Sequence, residues 1–342
     1  MKDLLVRAVL LAAVLATALA YAFQPLALCP NAVLVGPDNA SALLSYISGA
    51  QRAVYVEAYA LTWRPLADEL ASLAGKGVQV YVVLSAHVYG GMPTTERQLV
   101  QYMQSAGVHV AFNDHFNYVH TKAFVVDNKT VIVGSINPTY SGVGSDMGLS
   151  VVIVDKTLAE EIATVILDDY RGIYPRYDFQ GVVISPINSY DALNWLLSRP
   201  GRAYAAVEEV YSSSGLADLL VNKAGLVIAR VTDVPGVKTV EDLTAKVIVV
   251  GDLAYVGSIN LSGSSVNKNR EIGLILNCSS LARAAEALVE KWASSAQGSY
   301  RPSSYYHYHH SYYSPSAIPS AAWDIMAIAA LILAAYALLR RR

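Results

Sequence analysis

Cysteine is nearly absent from this chain: 342 residues contain only Cys29 and Cys278. A disulfide-dense scaffold is therefore excluded, and neither residue belongs to a zinc-ligand spacing. One disulfide and two separate buried thiols both remain open, since sequence does not show proximity. Charge is scarce as well, at 15% of residues with a net charge of −2. The chain ends hold the basic Lys2, Arg7, Arg340, Arg341 and Arg342 against the acidic Asp3 and Asp324, so the middle is more acidic than the whole. Bulk nucleic-acid binders are ordinarily basic because phosphate contacts dominate their affinity, which lowers the standing of that class here. The longest apolar runs are confined to the two ends.

What is present at those ends reads as membrane chemistry. Ala8 to Phe23 form an apolar run behind Lys2 and Arg7, the layout of a signal peptide or signal anchor within residues 1–28. Ala20-Tyr21-Ala22 offers a small-residue cleavage pattern, and cleavage and retention both stay open. Ala321 to Leu339 are nearly all apolar, open near Trp323 and stop at Arg340–Arg342. Such a run predicts a transmembrane helix over 321–339 with a cytoplasmic arginine tail at 340–342. Both ends then place the main domain outside the cell membrane. Residues 294–320, rich in Ser, Tyr, His and Pro as in Tyr305-Tyr306-His307-Tyr308-His309-His310, carry no apolar period and read as an extended tether rather than a metal site.

Between the ends, one unit is written twice. Val33-Leu34-Val35-Gly36-Pro37 and a helical run over Ala42–Ile47 match Val182-Val183-Ile184-Ser185-Pro186 and Ala192–Leu197. Val54-Tyr55-Val56-Glu57 parallels Ala205-Ala206-Val207-Glu208, and Leu66-Ala67-Asp68 parallels Leu216-Ala217-Asp218. Both copies continue with a β-rich run (Val78–Leu84; Leu226–Val231) and a Gly-Ser-Ile-Asn (Gly134–Asn137; Gly257–Asn260). Each then closes with an apolar strand (Leu149–Val154; Ile272–Leu276) and a helix (Leu158–Leu167; Leu281–Trp292). Strands alternating with helices predict an α/β fold, here duplicated into halves 30–175 and 176–293 around a pseudo-twofold.

The first copy carries His120-Thr121-Lys122, then Asp127, then Gly134-Ser135-Ile136-Asn137. Strand alternation puts His120 and Lys122 on one face, where a lysine can neutralise phosphate oxygens. The imidazole beside it can attack phosphorus or move a proton. Asn137 adds a neutral donor. Asp127 lies at a turn signal, Asp127-Asn128-Lys129, where a structural role competes with a catalytic one. His-x-Lys-x4-Asp followed by Gly-Ser-x-Asn resembles the phospholipase D superfamily. That resemblance implies two motifs meeting between the halves in one active site, a phosphohistidine intermediate, a second histidine protonating the leaving oxygen, and no metal or other cofactor.

The second copy departs from this pattern. Lys246, Ser258, Asn260 and Glu271 stand in family-like positions, but Thr244 occupies the histidine position and Asp252 is displaced by one. Asp146 reads as the first-copy counterpart of Glu271, and Glu57 and Glu208 read as equivalent strand ends. The predicted catalytic set is His120, Lys122, Asp127 and Asn137, with Ser135, Lys246, Ser258, Asn260 and Glu271 binding substrate. Three readings follow. His120 acts with another proton source, such as water, His87, His109 or His115; two chains pair through their first copies as a homodimer; or the protein binds phosphate esters without turning them over. The leading expectation is a membrane-anchored, extracytoplasmic phosphodiesterase acting on phospholipid. A nuclease of the same superfamily and a non-catalytic binding or scaffold protein are the alternatives.

Overall fold

The computed structural model describes residues 23–37 and 40–294. The predicted signal segment up to residue 22, the tether, the transmembrane run and the arginine tail lie outside the described residues. Among the described residues no helix is long and apolar enough to cross a membrane.

The first half builds a seven-stranded mixed sheet from β1 (Ala32–Val35), β2 (Ala53–Ala58), β3 (Gln79–Ser85), β4 (His109–Asn113), β5 (Lys122–Val126), β6 (Thr130–Gly134) and β7 (Leu149–Val154). The second builds another from β8 (Val182–Ser185), β9 (Ala203–Val210), β10 (Ala224–Thr232), β11 (Lys238–Thr239), β12 (Lys246–Val250), β13 (Leu253–Gly257) and β14 (Glu271–Asn277). The first sheet runs β1-β7-β6-β5-β2-β3-β4, and the second, read from its far edge, runs β8-β14-β13-β12-β9-β10-β11. The two orders are identical, strand for strand. Helices α1 (Ala40–Ser48), α2 (Arg64–Gly75), α3 (Thr94–Ser105), α4 (Tyr140–Gly144) and α5 (Lys156–Arg171) accompany the first sheet. Helices α6 (Ser189–Leu197), α7 (Ala217–Asn222), α8 (Gly263–Asn267) and α9 (Ser279–Ser294) accompany the second.

The strands are apolar on both faces because both faces are covered. In β5 every residue is buried; Phe124 and Val126 enter a core beneath α1–α3, while Ala123 and Val125 enter a core shared by the halves. That shared core joins Val131, Val133 and Val151 of the first sheet to Val247, Val256 and Leu274 of the second, flanked by α5 and α9. Each fully buried Val or Leu contributes about 1.5–3 kcal/mol relative to exposure, so this seam dominates the association of the halves. α5 starts where the Asp155 side chain accepts the Leu158 N–H at 2.8 Å and stops at Gly172, left-handed at φ 72°. Its Leu158, Ile162, Val165 and Ile166 turn inward.

Backbone hydrogen bonds pin the seam with the same pseudo-symmetry. His120 N–H donates to Arg270 O at 2.8 Å and Arg270 N–H to Tyr118 O at 2.8 Å; in the mirror position Thr244 N–H donates to Met147 O at 3.1 Å and Met147 N–H to Asp242 O at 2.8 Å. Cys29 and Cys278 form a disulfide, which resolves the open alternative. It ties the segment before β1 to the end of β14, beside the Leu26–Leu276 bridge.

Candidate active site

The ends of β5, β6 and β7 and of β12, β13 and β14 converge on one cleft at the seam. His120, two residues ahead of β5, is held in place by the backbone bond to Arg270. Its Nδ1 lies 3.1 and 3.0 Å from the two carboxylate oxygens of Glu271 in the other half. Glu271 is fully buried, and the His120 side chain is 16% exposed. Burial pushes the His120 imidazole below its ordinary value, with the Glu271 charge opposing and Lys122 reinforcing the shift. Burial raises Glu271, but the attraction of His120, their hydrogen bond and Lys122 outweigh it and hold the carboxyl below the usual range. An ionised carboxylate only accepts, so Nδ1 carries the proton and Nε2 keeps its lone pair. Ser265 Oγ and, at 3.3 Å, Asn269 Nδ2 also donate to Glu271 and fix its orientation.

Two lysines face each other across the cleft. Lys122 is 1% exposed; burial, then the charge of Lys246, lowers its ammonium well below the usual lysine value. It donates to the His120 carbonyl at 2.6 Å and stands 5.6 Å above the Tyr59 ring. Lys246 makes the mirror bond to the Thr244 carbonyl at 2.9 Å, and in addition pairs with Glu208, which also binds Arg230. Burial alone would raise Glu208, but Lys246 and Arg230 hold its carboxyl at about 2. An ammonium has three donors, so Lys122 keeps more of them for an incoming anion than Lys246 does.

Register corrects two expectations. Lys122 pairs with Ala58 and Lys246 with Val207, so the first-half equivalent of Glu208 is Tyr59, not Glu57. Tyr59 packs edge-on against His120 with ring centroids 5.1 Å apart. Glu57 points to the opposite face, where burial and then the charge of Asp169 push its carboxyl well above the usual value. There it lies beside the ion pair that Arg270 makes with Asp169 at 2.7 Å. Gly134 pairs with Ser150 and Gly257 with Gly273. Counting two residues back makes Gly148, not Asp146, the counterpart of Glu271. Gly148 faces Thr244: a Cβ placed on it would stand 3.3 Å from the Thr244 Oγ1. The second half has thus lost a histidine, and the first half has lost the carboxylate that would serve it.

The remaining expected residues divide between cleft and scaffold. Asn260 accepts the Glu209 N–H at 3.1 Å, and Asn137 occupies the symmetric position after β6. Ser135 and Ser258 are fully buried latches: each exchanges hydrogen bonds with the neighbouring strand, at Leu149 and Ile272. Glu271, expected to bind substrate, is instead the partner of His120. Asp127 is far from His120, at the other end of β5, about 17 Å from Lys122 at ~3.4 Å per residue. At φ 56° it accepts the N–H groups of Gln51, Arg52 and Ala53. Burial raises its carboxyl, and those three donors more than reverse this, leaving it below the usual value. Its work is to close a turn. His109 stacks on Tyr81 at the sheet edge, His115 stacks on Tyr174 at 3.8 Å, and His87 is exposed in the loop after β3. Tyr59, Arg230 and Glu209 were not singled out beforehand, because only the folded register brings them to the cleft. Among the described residues no group of three or more His, Cys, Asp or Glu could hold a metal ion.

Comparison with known proteins agrees with this geometry. Residues 43–169 match the family model described as cardiolipin synthase, PLD-like domain. The mitochondrial cardiolipin hydrolase of Mus musculus is 24% identical over 150 residues, 44% of this chain. The chain spans 64% of that protein's length. Among solved structures, the phospholipase D family member Nuc from Salmonella typhimurium is 26% identical, covering 41% of this chain and 94% of its own at a TM-score of 0.38. Polyphosphate kinase from Porphyromonas gingivalis, 10% identical, covers 76% of this chain and 49% of its own at a TM-score of 0.59, a likeness of fold across both halves. Family model, curated relative and motif residues lead to one assignment: residues 43–169 form a PLD-like domain of the phospholipase D superfamily.

Proposed function

We propose that this protein is a phosphodiesterase in which His120 is the nucleophile. The observation that carries the reading is the His120–Glu271 dyad, which leaves a neutral imidazole with Nε2 unprotonated beside two lysines. Nε2 attacks phosphorus while Lys122 and Lys246, with the Asn137 and Asn260 amides, hold the non-bridging oxygens. The leaving alcohol departs, and water or another alcohol then takes the phosphoryl group from histidine. Glu271 keeps the proton on Nδ1 and stabilises the imidazolium character that develops in the attack, as an orienting carboxylate does in other histidine dyads.

Phospholipid is the favoured substrate and the face of a membrane the favoured location. The relatives' names support this, since both refer to cardiolipin, as do the apolar runs at the chain ends. The disulfide fits an oxidising compartment. The second half covers the His120 side of the seam and supplies Glu271, which supports a site completed within one chain rather than by a homodimer.

Purified full-length protein is to be assayed on cardiolipin-containing vesicles, short single-stranded DNA and bis(p-nitrophenyl) phosphate. Turnover of vesicle lipid above DNA, abolished in His120→Asn, is expected. DNA as the better substrate would overturn the lipid reading alone. Inertness on all three, with no phosphohistidine, would sink the enzyme reading and leave a phosphate-ester binder.

A further inference from the structure

The loss of Thr244's histidine leaves the proposed reaction without its expected proton donor. An alkoxide is a poor leaving group near neutral pH, and a positioned general acid contributes about 10²–10⁴-fold to such steps. The threonine hydroxyl titrates far above neutrality and cannot fill the role.

One carboxyl stands where that donor is missing. β9 and β12 pair Val207 with Lys246, and Glu208 N–H donates to Ala245 O at 2.9 Å. One further step of this antiparallel register sets Glu209 across from Thr244 on the same face. Its backbone is fixed on both sides by the end of the Gly-Ser-Ile-Asn segment and the residue after it: its N–H donates to Asn260 Oδ1 at 3.1 Å, and its carbonyl accepts the Leu261 N–H at 3.0 Å. Glu209 is partly exposed, and among the described residues its carboxyl makes no hydrogen bond or ion pair, so it is not spent on structure. The same register puts Ala60 at the equivalent place in the first half. The half that kept its histidine has alanine there, and the half that lost it has glutamate.

We propose that Glu209 is the general acid of this site, standing in for the histidine absent at Thr244 and protonating the leaving alcohol; the inference rests on His120 being the nucleophile. As the His120 Nε2–phosphorus bond forms and the phosphorus–oxygen bond breaks, the Glu209 proton passes to the departing alkoxide oxygen. In the second step the Glu209 carboxylate takes a proton from the attacking water as the nitrogen–phosphorus bond breaks, which restores both groups.

The electrostatic surroundings fit this cycle. The charged groups facing Glu209 are Glu208 on its own strand, Arg230 on β10, Lys246 on β12 and Glu271 on β14. Burial first, then the Glu208 charge, raise the carboxyl to about 7 against the opposing pull of Lys246 and Arg230. An acid with that value is protonated in a useful fraction near neutral pH and is still strong enough to donate.

The test compares leaving groups. Wild type and Glu209→Gln are assayed on a diester with an alkyl leaving group and on bis(p-nitrophenyl) phosphate, whose phenolate needs no proton. In the first-step rate, read as the pre-steady-state burst of released alcohol or phenolate, Glu209→Gln is expected to lose about 10²-fold or more on the alkyl diester and less than about 5-fold on the aryl diester. Wild-type alkyl turnover should fall as pH rises through about 7, because the raised carboxyl must be protonated to act, and this alkaline limb should vanish in the variant. Equal losses on both substrates, or an unchanged alkaline limb, overturn the proposal. Aryl turnover by the variant with phosphohistidine still formed shows folding and the His120 reading intact; loss of both in wild type implicates that reading instead.

Discussion

The two halves share strand order, seam hydrogen bonds and a lysine aimed at the same cleft, yet only one presents a histidine there. At the end of β5 stands His120, served across the seam by Glu271. At the end of β12 stands Thr244, and the place of its carboxylate is Gly148, close enough that a Cβ would crowd the threonine. The losses come as a pair because a catalytic histidine and its orienting carboxylate are one functional unit divided between two halves. Without the histidine, a buried carboxylate there would be an unpaired charge in a low-dielectric seam, which is costly. The scaffold needs neither: Lys246, Ser258 and Asn260 remain, because cleft charge and strand latching do not depend on the missing imidazole.

The sharpest way to break this asymmetry is to substitute equivalent positions. His120→Asn is expected to lower turnover of any accepted diester by about 10⁴-fold or more, while Thr244→Ala changes it less than about 3-fold. Comparable losses at both positions would mean the halves contribute alike. Next, Glu271→Gln should cost roughly 10²–10⁴-fold by removing the charge that fixes the tautomer. The pH dependence carries a sign. His120 is held below its ordinary 6.5 and must be neutral to attack. Wild-type rates should therefore hold as pH falls to 6.5 and drop only as pH passes below it. An acidic limb above 6.5 would contradict the burial account.

The same comparison predicts smaller effects on stability. In Gly148→Ala the new Cβ would stand 3.0 Å from Ile136 Cγ1 and 3.2 Å from Ser135 Oγ, so the packed seam has to shift, at about 1–3 kcal/mol. Denaturation midpoints measure it. Asp127→Ala should cost about 1–2 kcal/mol by leaving the N–H groups of Gln51, Arg52 and Ala53 without their acceptor. It should leave turnover unchanged, since the site is far along the strand. A selective loss of activity would return Asp127 to the catalytic set.

What the sequence made legible follows from what is local. The duplication, the apolar strands of both sheets and the His120–Lys122 face could be read directly, because strand alternation and helical spacing are properties of short segments. The pairing of His120 with Glu271 could not, since it depends on two strands 151 residues apart meeting at a seam. The errors at Glu57 and Asp146 have one cause. Each alignment of the copies is two residues out, and a shift of two leaves strand alternation undisturbed, so the sequence pattern does not reveal it and only hydrogen-bonded register decides. Glu209 was invisible for the same reason: it sits one residue beyond a glutamate that was read as the strand end. The sequence reading also leaves out β4, β6, β11, β12 and β13, β11 because two residues carry no period at all.

The central claim is that one half alone carries the nucleophile, and trapping the phosphoryl-enzyme tests it most directly. Full-length protein is quenched during turnover of a labelled diester, and the modified residue is located by mass spectrometry under conditions that preserve phosphohistidine. The account predicts label on His120 in wild type and in Thr244→Ala, and none in His120→Asn. Label on a residue of the second half, or turnover in wild type with no label on His120, would contradict it.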